Sequence, residues 1–235
     1  MTVLAFCSSA TVCSVAVVEA SRTLACETFA HEMRLLERLM PVTQLVLERA
    51  GVRLETVDRI AADLGPGSFT GIRIGVMTAK TIAWALNKDI VGVSALECLA
   101  YQARHTPVVA LIRARPGMVY RQAFGAGLRP LDQPQIVSAA SPRDILGRLQ
   151  SAHETFVVAD PEMDMSPIEN ACSGHARLQL LRARINAEAV GRLALNSSAH
   201  SPSSALHVTP LYLAEPLIGP PKSSGPQDGN FASSR

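Results

Sequence analysis

The sequence predicts an α/β fold in two halves, the second a shortened copy of the first. Three observations predict it. Three short apolar runs are followed by alternating helix and strand signals, and the pattern restarts near residue 107. A buried strand runs through a glycine turn into a helix between residues 57 and 87. Two helices in the first half carry more apolar positions than one stripe needs.

The elements follow in order. Strands are predicted at Val3 to Cys7, Cys13 to Val18 and Thr23 to Phe29, then a helix from Glu32 to Ala50. Pro41 removes one internal hydrogen bond and should bend or split that helix, and Gly51 occupies the usual C-cap position. Val57 to Asp63 reads as a strand, Gly65-Pro66-Gly67-Ser68 breaks it, and Thr70 is placed as the N-cap of a second helix ending near Asn87. A strand at Ile90 to Val93 and a helix at Ala95 to Arg104 complete the first half. The second half gives strands at Pro107 to Ile112, Met118 to Phe124, Pro134 to Ser138 and Thr155 to Ala159, with helices at Ser141 to Gln150 and Arg177 to Asn196. The division expected is residues 1–104, residues 105–213, and a disordered tail at 214–235 rich in Pro, Gly and Ser.

The chain has 235 residues and a formal net charge of +2, which argues against a nucleic-acid binder that works through a broad basic field. Arg113, Arg115 and Arg121 are left as a local basic patch. Its 5 cysteines are scattered and odd in number, as expected of reduced packing residues in a cytoplasmic protein. No apolar run approaches the roughly 20 residues needed to span a bilayer.

The glycine turn invites comparison with two phosphate-binding motifs, and its spacing fits neither. The dinucleotide fingerprint needs glycine where Thr70 stands, and the P-loop needs Gly-Lys-Ser/Thr where Gly71 is followed by Ile72 and Arg73. A turn at a helix N-terminus still suits an anion, which marks Gly67, Ser68, Thr70 and Arg73, together with Arg113 from the second half, as anion- or nucleotide-proximal; a tight strand-to-helix connection explains the residues of the turn equally. Along the helix, Gly71, Gly75, Ala79 and Ala83 recur every four residues and line one face, while Ile72 and Val76 cover an adjoining one. Such a helix must be buried on two sides, by its own sheet and by either another helix of the chain or a partner subunit.

The glycine segment Leu64-Gly-Pro-Gly-Ser-Phe-Thr-Gly-Ile-Arg-Ile-Gly75, with Thr78-Ala-Lys80, resembles the signature of the bacterial TsaB (YeaZ) family. Leu4-Ala5, Ser8-Ser9, Cys13-Ser-Val-Ala16, His31 with Leu35-Leu36 and Pro41, Ala114-Arg115 with Gly117 and Val119-Tyr120, and Pro210 with Tyr212-Leu213 agree with it, so the resemblance covers about residues 3 to 213. It implies two actin-like (ASKHA, ribonuclease H-like) subdomains, the second reduced. It also implies a noncatalytic subunit, catalytic residues none, that pairs with a TsaD-like transferase for threonylcarbamoylation of the tRNA adenosine next to the anticodon. The paired helices of the first subdomain form the contact in that family, which singles out Met33, Leu36, Met40, Gly71, Ile72, Gly75, Val76, Ala79 and Ala83. A TsaE-like ATPase completes the machine, tRNA is met through the complex, and ATP or ADP and the metal are expected on the partner subunits. A homodimer is left open for the chain alone.

The residues favour the same noncatalytic expectation. His31, His105, His153, His175, His200 and His207 are isolated in sequence, where the metal-binding paralogue needs two histidines four apart on a helix. The chain departs from the family at Cys7, where relatives usually have Asp; at Arg113, also usually Asp; and at Thr81, usually Gly. The first two make nucleotide or metal binding in the cleft less favourable, or change which anion it accepts. Two alternatives remain beside the scaffold: an actin-like-fold enzyme (metallopeptidase or ATP-dependent kinase), and a homodimeric tRNA-binding module using the Arg113 to Arg121 strand pair.

Overall fold

The structure is a computed structural model that describes residues 1–30, 34–147, 149, 154–172, 178–197 and 208–213. Met33, the other residues of the 31–33 stretch, and the expected tail at 214–235 lie outside the described residues.

Two five-stranded sheets share one topology. In the first, β1 (Thr2–Cys7), β2 (Val12–Glu19), β3 (Thr23–Ala30), β4 (Arg59–Asp63) and β5 (Asp89–Val93) lie in the order β3-β2-β1-β4-β5. The first three strands pair antiparallel, and β4 and β5 add in parallel. In the second, β6 (Val108–Arg113), β7 (Met118–Phe124), β8 (Gln135–Ser138), β9 (Thr155–Ala159) and β10 (Leu178–Arg182) repeat that order and those directions. The duplication read from the sequence is therefore present. The reduction of the second copy is in its helices: α4 (Pro142–Leu146) and α5 (Ser166–Cys172) are far shorter than α1 (Leu35–Ala50) and α2 (Phe69–Ala85).

Helices cover both faces of each sheet, so the central strands are buried on both sides and read as nearly continuous apolar runs. Leu4, Phe6, Val15, Val17 and Ile60 point to the outer face of the first sheet, where α1 and α2 cover them. Val3, Ala5, Ala16, Val18 and Val91 point inward to a shared core between the sheets. That core holds α3 (Ala95–Ala103) and α6 (Ala187–Asn196), and the connections cross: α3 packs on β6, β7 and β9, whereas α6 packs on β1, β2 and β4. A Cβ on Gly191 of α6 would sit 2.5 Å from Val18, so the close seating of that helix on the sheet requires glycine.

Three expectations are corrected. α1 is not split at Pro41 but continues through it as one 16-residue helix. Only one hydrogen bond is lost there, and Leu39, Val46 and Leu47 on the flanking turns are held in the core. The helix expected from Arg177 to Asn196 is the strand β10 followed by α6: Leu178, Gln179, Leu180 and Leu181 favour helix in isolation, but parallel pairing with β9 overrides that preference. The N-cap of α2 is Ser68 rather than Thr70, and its side chain accepts from the Gly71 N–H at 3.2 Å. No helix among the described residues is long and apolar enough to cross a membrane.

Candidate functional site

The glycine turn docks onto the hairpin turn between β1 and β2. The Ser68 N–H donates to the Ser9 carbonyl at 2.8 Å, and a Cβ on Gly67 would lie 2.3 Å from that same oxygen, so only glycine permits the approach. Gly65 has φ +84°, which also favours glycine, and the Gly65–Pro66 bond is cis. The Ser9 turn is fixed in its own right by Asp63 at the end of β4. This buried carboxylate accepts from the Ser8 N–H at 3.3 Å, the Ser9 N–H at 3.1 Å, the Ser9 hydroxyl and, at 3.4 Å, the Cys7 thiol. Burial raises the Asp63 pKa, against the lowering effect of those hydrogen bonds. Burial and the neighbouring Asp63 push the Cys7 thiol up, so it remains protonated and serves as a donor. Cys7 thus occupies the end of strand one beside a carboxylate that belongs to the next strand.

In front of this turn lies a cleft of about 520 Å³ between the two halves of the molecule. Ser9, Gly67, Ser68 and Arg113 line it together with Tyr120, Asp160 and Glu162. Three of the expected anion-proximal residues, Gly67, Ser68 and Arg113, are brought together there. Thr70 and Arg73 are not among the lining: Thr70 is exposed in the first turn of α2, and the Arg73 guanidinium lies 4.5 Å from the centre of the Phe69 ring on the helix surface. Glu162 accepts from the Thr11 hydroxyl at 3.1 Å and pairs with Arg184 at 3.1 Å, tying the β1–β2 turn to the loop after β9. Sequence reasoning missed Asp63, Asp160 and Glu162. An acidic residue closing an apolar strand directly before a glycine turn was the available signal for Asp63; Asp160 and Glu162 in a loop carried none. Among the described residues, no group of three or more His, Cys, Asp or Glu side chains is placed to hold a metal ion.

The basic strand pair is also corrected. Arg113 and Arg115 are exposed, but Arg121 is buried, ion-paired with Asp132 and donating through Nε to the Ile145 carbonyl at 3.2 Å. Alternation along β7 turns it into the second half's outer layer, where no nucleic acid reaches it.

The apolar surplus of α1 and α2 divides differently from the expectation. Gly71, Ile72, Gly75, Val76, Ala79 and Ala83 are all buried against the chain's own first sheet. A Cβ on Gly75 would lie 2.0 Å from the Ser8 hydroxyl oxygen, so glycine at this position of the repeat allows α2 to pack closely onto the residue that follows β1. The surface left outward carries large side chains instead: Leu36 (69% exposed) and Met40 (46%) on α1, Met77 (58%) and Trp84 (80%) on α2. Of the expected partner-contact residues, Leu36 and Met40 are exposed; Met77 and Trp84 were missed, although both fall on the helix face opposite the small-residue repeat.

Comparison with known proteins bears on this arrangement. Residues 31–146 match the family model described as TsaD, tRNA N6-adenosine threonylcarbamoyltransferase. The chain is 41% identical over 85 residues to the tRNA threonylcarbamoyladenosine biosynthesis protein TsaB of Bacillus subtilis, covering 35% of this chain and 37% of that one. It is 32% identical over 124 residues to the TsaB protein of Haemophilus influenzae, covering 51% and 52%. The matched stretches thus span about a third to a half of those curated relatives. A solved Pseudomonas aeruginosa structure, described as similar to the peptidase YeaZ, superposes with a TM-score of 0.73 at 26% identity over 91% of this chain and 99% of that one. The stretch matched by the family model contains α1, the glycine turn and α2, and the structural likeness extends over both actin-like halves, so the chain is similar to TsaB (YeaZ) proteins both in sequence and in fold.

Proposed function

We propose that this chain is a noncatalytic scaffold subunit that pairs with a TsaD-like transferase through the outward face of α1 and α2, and so supports threonylcarbamoylation of the tRNA adenosine next to the anticodon. The observation that carries the reading is the set of four large apolar side chains, Leu36, Met40, Met77 and Trp84, exposed on one two-helix layer. Large apolar side chains that gather into one exposed patch mark a protein-binding surface. The names of the curated relatives, tRNA threonylcarbamoyladenosine biosynthesis proteins, supply the process. The match of residues 31–146 to the transferase model supplies the partner: α1 and α2 lie inside the shared stretch, so a paralogue built alike presents a similar helix pair, and two such faces meet about a pseudo-twofold axis. ATP or ADP, the metal and the transfer chemistry belong in this reading to the partner subunits, with a TsaE-like ATPase joining the pair.

The cleft supports a role without chemistry of its own. Behind the cleft, the buried carboxylate Asp63 is spent on the Ser8–Ser9 turn, and in the lining Glu162 is engaged by Thr11 and Arg184. The test is co-expression with the TsaD-like protein of the same organism, followed by size-exclusion chromatography with light scattering. A one-to-one heterodimer is expected, lost on Trp84→Asp or Met40→Asp while the melting temperature of the isolated chain stays close to that of the parent. A chain that stays alone, or charged variants that still pair, would overturn the reading.

A further inference from the structure

The described residues end in a short extended segment, Val208 to Leu213, that lies along α2. The Val208 carbonyl accepts from the Lys80 Nζ at 3.0 Å, the Leu211 N–H donates to the Leu64 carbonyl at 2.8 Å, and the Tyr212 ring lies 4.8 Å from the Phe69 ring, centre to centre. Val208 itself is buried in the core beneath α2. The segment is therefore a strap attached at three points, running from the C-terminal half of the helix to its first turn.

The strap touches the same stripe that carries the outward apolar residues. With about 100° per residue, Phe69, Lys80, Arg73, Trp84 and Met77 fall within about 80° of one another around α2. Two of these five, Phe69 and Lys80, are held by the strap; Met77 and Trp84 stay open. Lys80 would otherwise place an ammonium group in an apolar stripe. Bonded to the Val208 carbonyl, it is drawn to one side of it. Tyr212 is 43% exposed and, with Phe69 and the overlying Arg73, forms an aromatic and cationic rim at the helix N-terminal end of the face. Aromatic and arginine side chains of this kind are what interface centres are enriched in.

We propose that the strap is a third element of the docking face, contacted by the TsaD-like partner together with α1 and α2, and that it selects that partner over a second copy of this chain; this rests on the scaffold reading above. The stretch shared with the transferase model is residues 31–146, so α1 and α2 lie inside it and the strap lies outside. Two helix pairs built alike are nearly self-complementary, and discrimination between paralogue and self must come from what the two chains do not share.

The test measures both equilibria on the full chain: heterodimer affinity by titration calorimetry with the TsaD-like protein, and self-association by sedimentation over a dilution series. Tyr212→Ala, at a half-exposed ring, is expected to weaken the heterodimer about tenfold, the effect of losing one well-placed aromatic side chain, with self-association unchanged. Tyr212→Phe, which keeps the ring, is expected to pair like the parent. A Tyr212→Ala chain that pairs as tightly as the parent overturns the proposal and leaves the scaffold reading standing. Equal weakening of both equilibria overturns the selective role. A parent chain that does not pair with the transferase at all overturns the scaffold reading itself, and this proposal with it.

Discussion

Asp63 and Gly75 show how much one position sets in this molecule. Asp63 is a fully buried carboxylate whose pKa is raised from the usual 3.8, chiefly by burial. The sign of its pH dependence follows from that direction. The native state holds this proton more tightly than the unfolded chain, so as pH rises from the ordinary carboxylate range through the raised value, the native state loses a stabilising contribution. Asp63→Asn keeps the side chain's shape and removes the titration. The difference in urea midpoint between parent and variant should therefore shift steadily in the variant's favour as pH rises through that window, and a difference that stays flat would contradict the raised value. Gly75 acts through sterics. A methyl group there meets the Ser8 hydroxyl, itself buried without a hydrogen-bond partner among the described residues. Gly75→Ala should cost about 1–3 kcal/mol by overpacking. Ser8→Ala should be neutral or stabilising by about 1 kcal/mol, since it removes an unsatisfied polar group. The double variant should recover part of the loss, a coupling that chemical denaturation of all four proteins in the cycle would measure. Neither partner relation was legible in the sequence. Asp63 lies more than fifty residues from Cys7 and the Ser8–Ser9 turn in the chain, and only parallel pairing of β1 with β4 brings them together.

At the scale of the element, α2 separates what periodicity can tell from what it cannot. The four-residue spacing of Gly71, Gly75, Ala79 and Ala83 correctly marks a closely packed, buried face. It does not say what packs there, and at Gly75 the neighbour proves to be the side chain of Ser8, just beyond β1. The opposite face was equally visible in the sequence as Met77 and Trp84, but an exposed apolar residue is recognised only once the buried side is known. A clean contrast follows. Ala79→Asp places a charge in the core under α2 and should lower the melting temperature severely, by several kcal/mol of stability. Met77→Asp, at a 58% exposed position, should leave melting nearly unchanged and affect pairing alone. Thermal unfolding of the two isolated variants distinguishes them, and similar melting for both would mean that the faces of α2 are assigned the wrong way round. β10 shows the other limit. Leu178 to Arg182 is helix-forming by composition, and its strand state comes from an available parallel edge on β9, which no local window contains.

Over the whole molecule, the duplicated topology conceals an exchange. The sequence repeat divides the chain near residue 104, and both sheets respect that division, yet the helices that fill the space between them do not. α3, from the first half, covers the second sheet; α6, from the end of the chain, covers the first. Without α6, the inward side chains Val3, Ala5, Ala16, Val18 and Val91 face solvent, and without α3 so do Val108, Ala110 and Val158. Each uncovered side chain of valine size costs about 1.5–3 kcal/mol relative to burial, so uncovering several at once is comparable to the whole stability of an ordinary domain. The two halves should then fold as one cooperative unit. A chain ending at Arg104 is expected to show neither a cooperative melt nor protease resistance, whereas the full chain unfolds in a single transition seen alike by circular dichroism and by calorimetry. Two separated transitions in the full chain, or a stable fragment, would show that α6 adds little to the first sheet. Single-transition unfolding would also bear on docking, because α1 and α2 stand on the outer face of the sheet whose inner face α6 covers. The platform offered to a partner would then be as rigid as the molecule as a whole, and a lesion in the remote helix, such as Gly191→Val against β2, would weaken pairing only to the extent that it unfolds the chain.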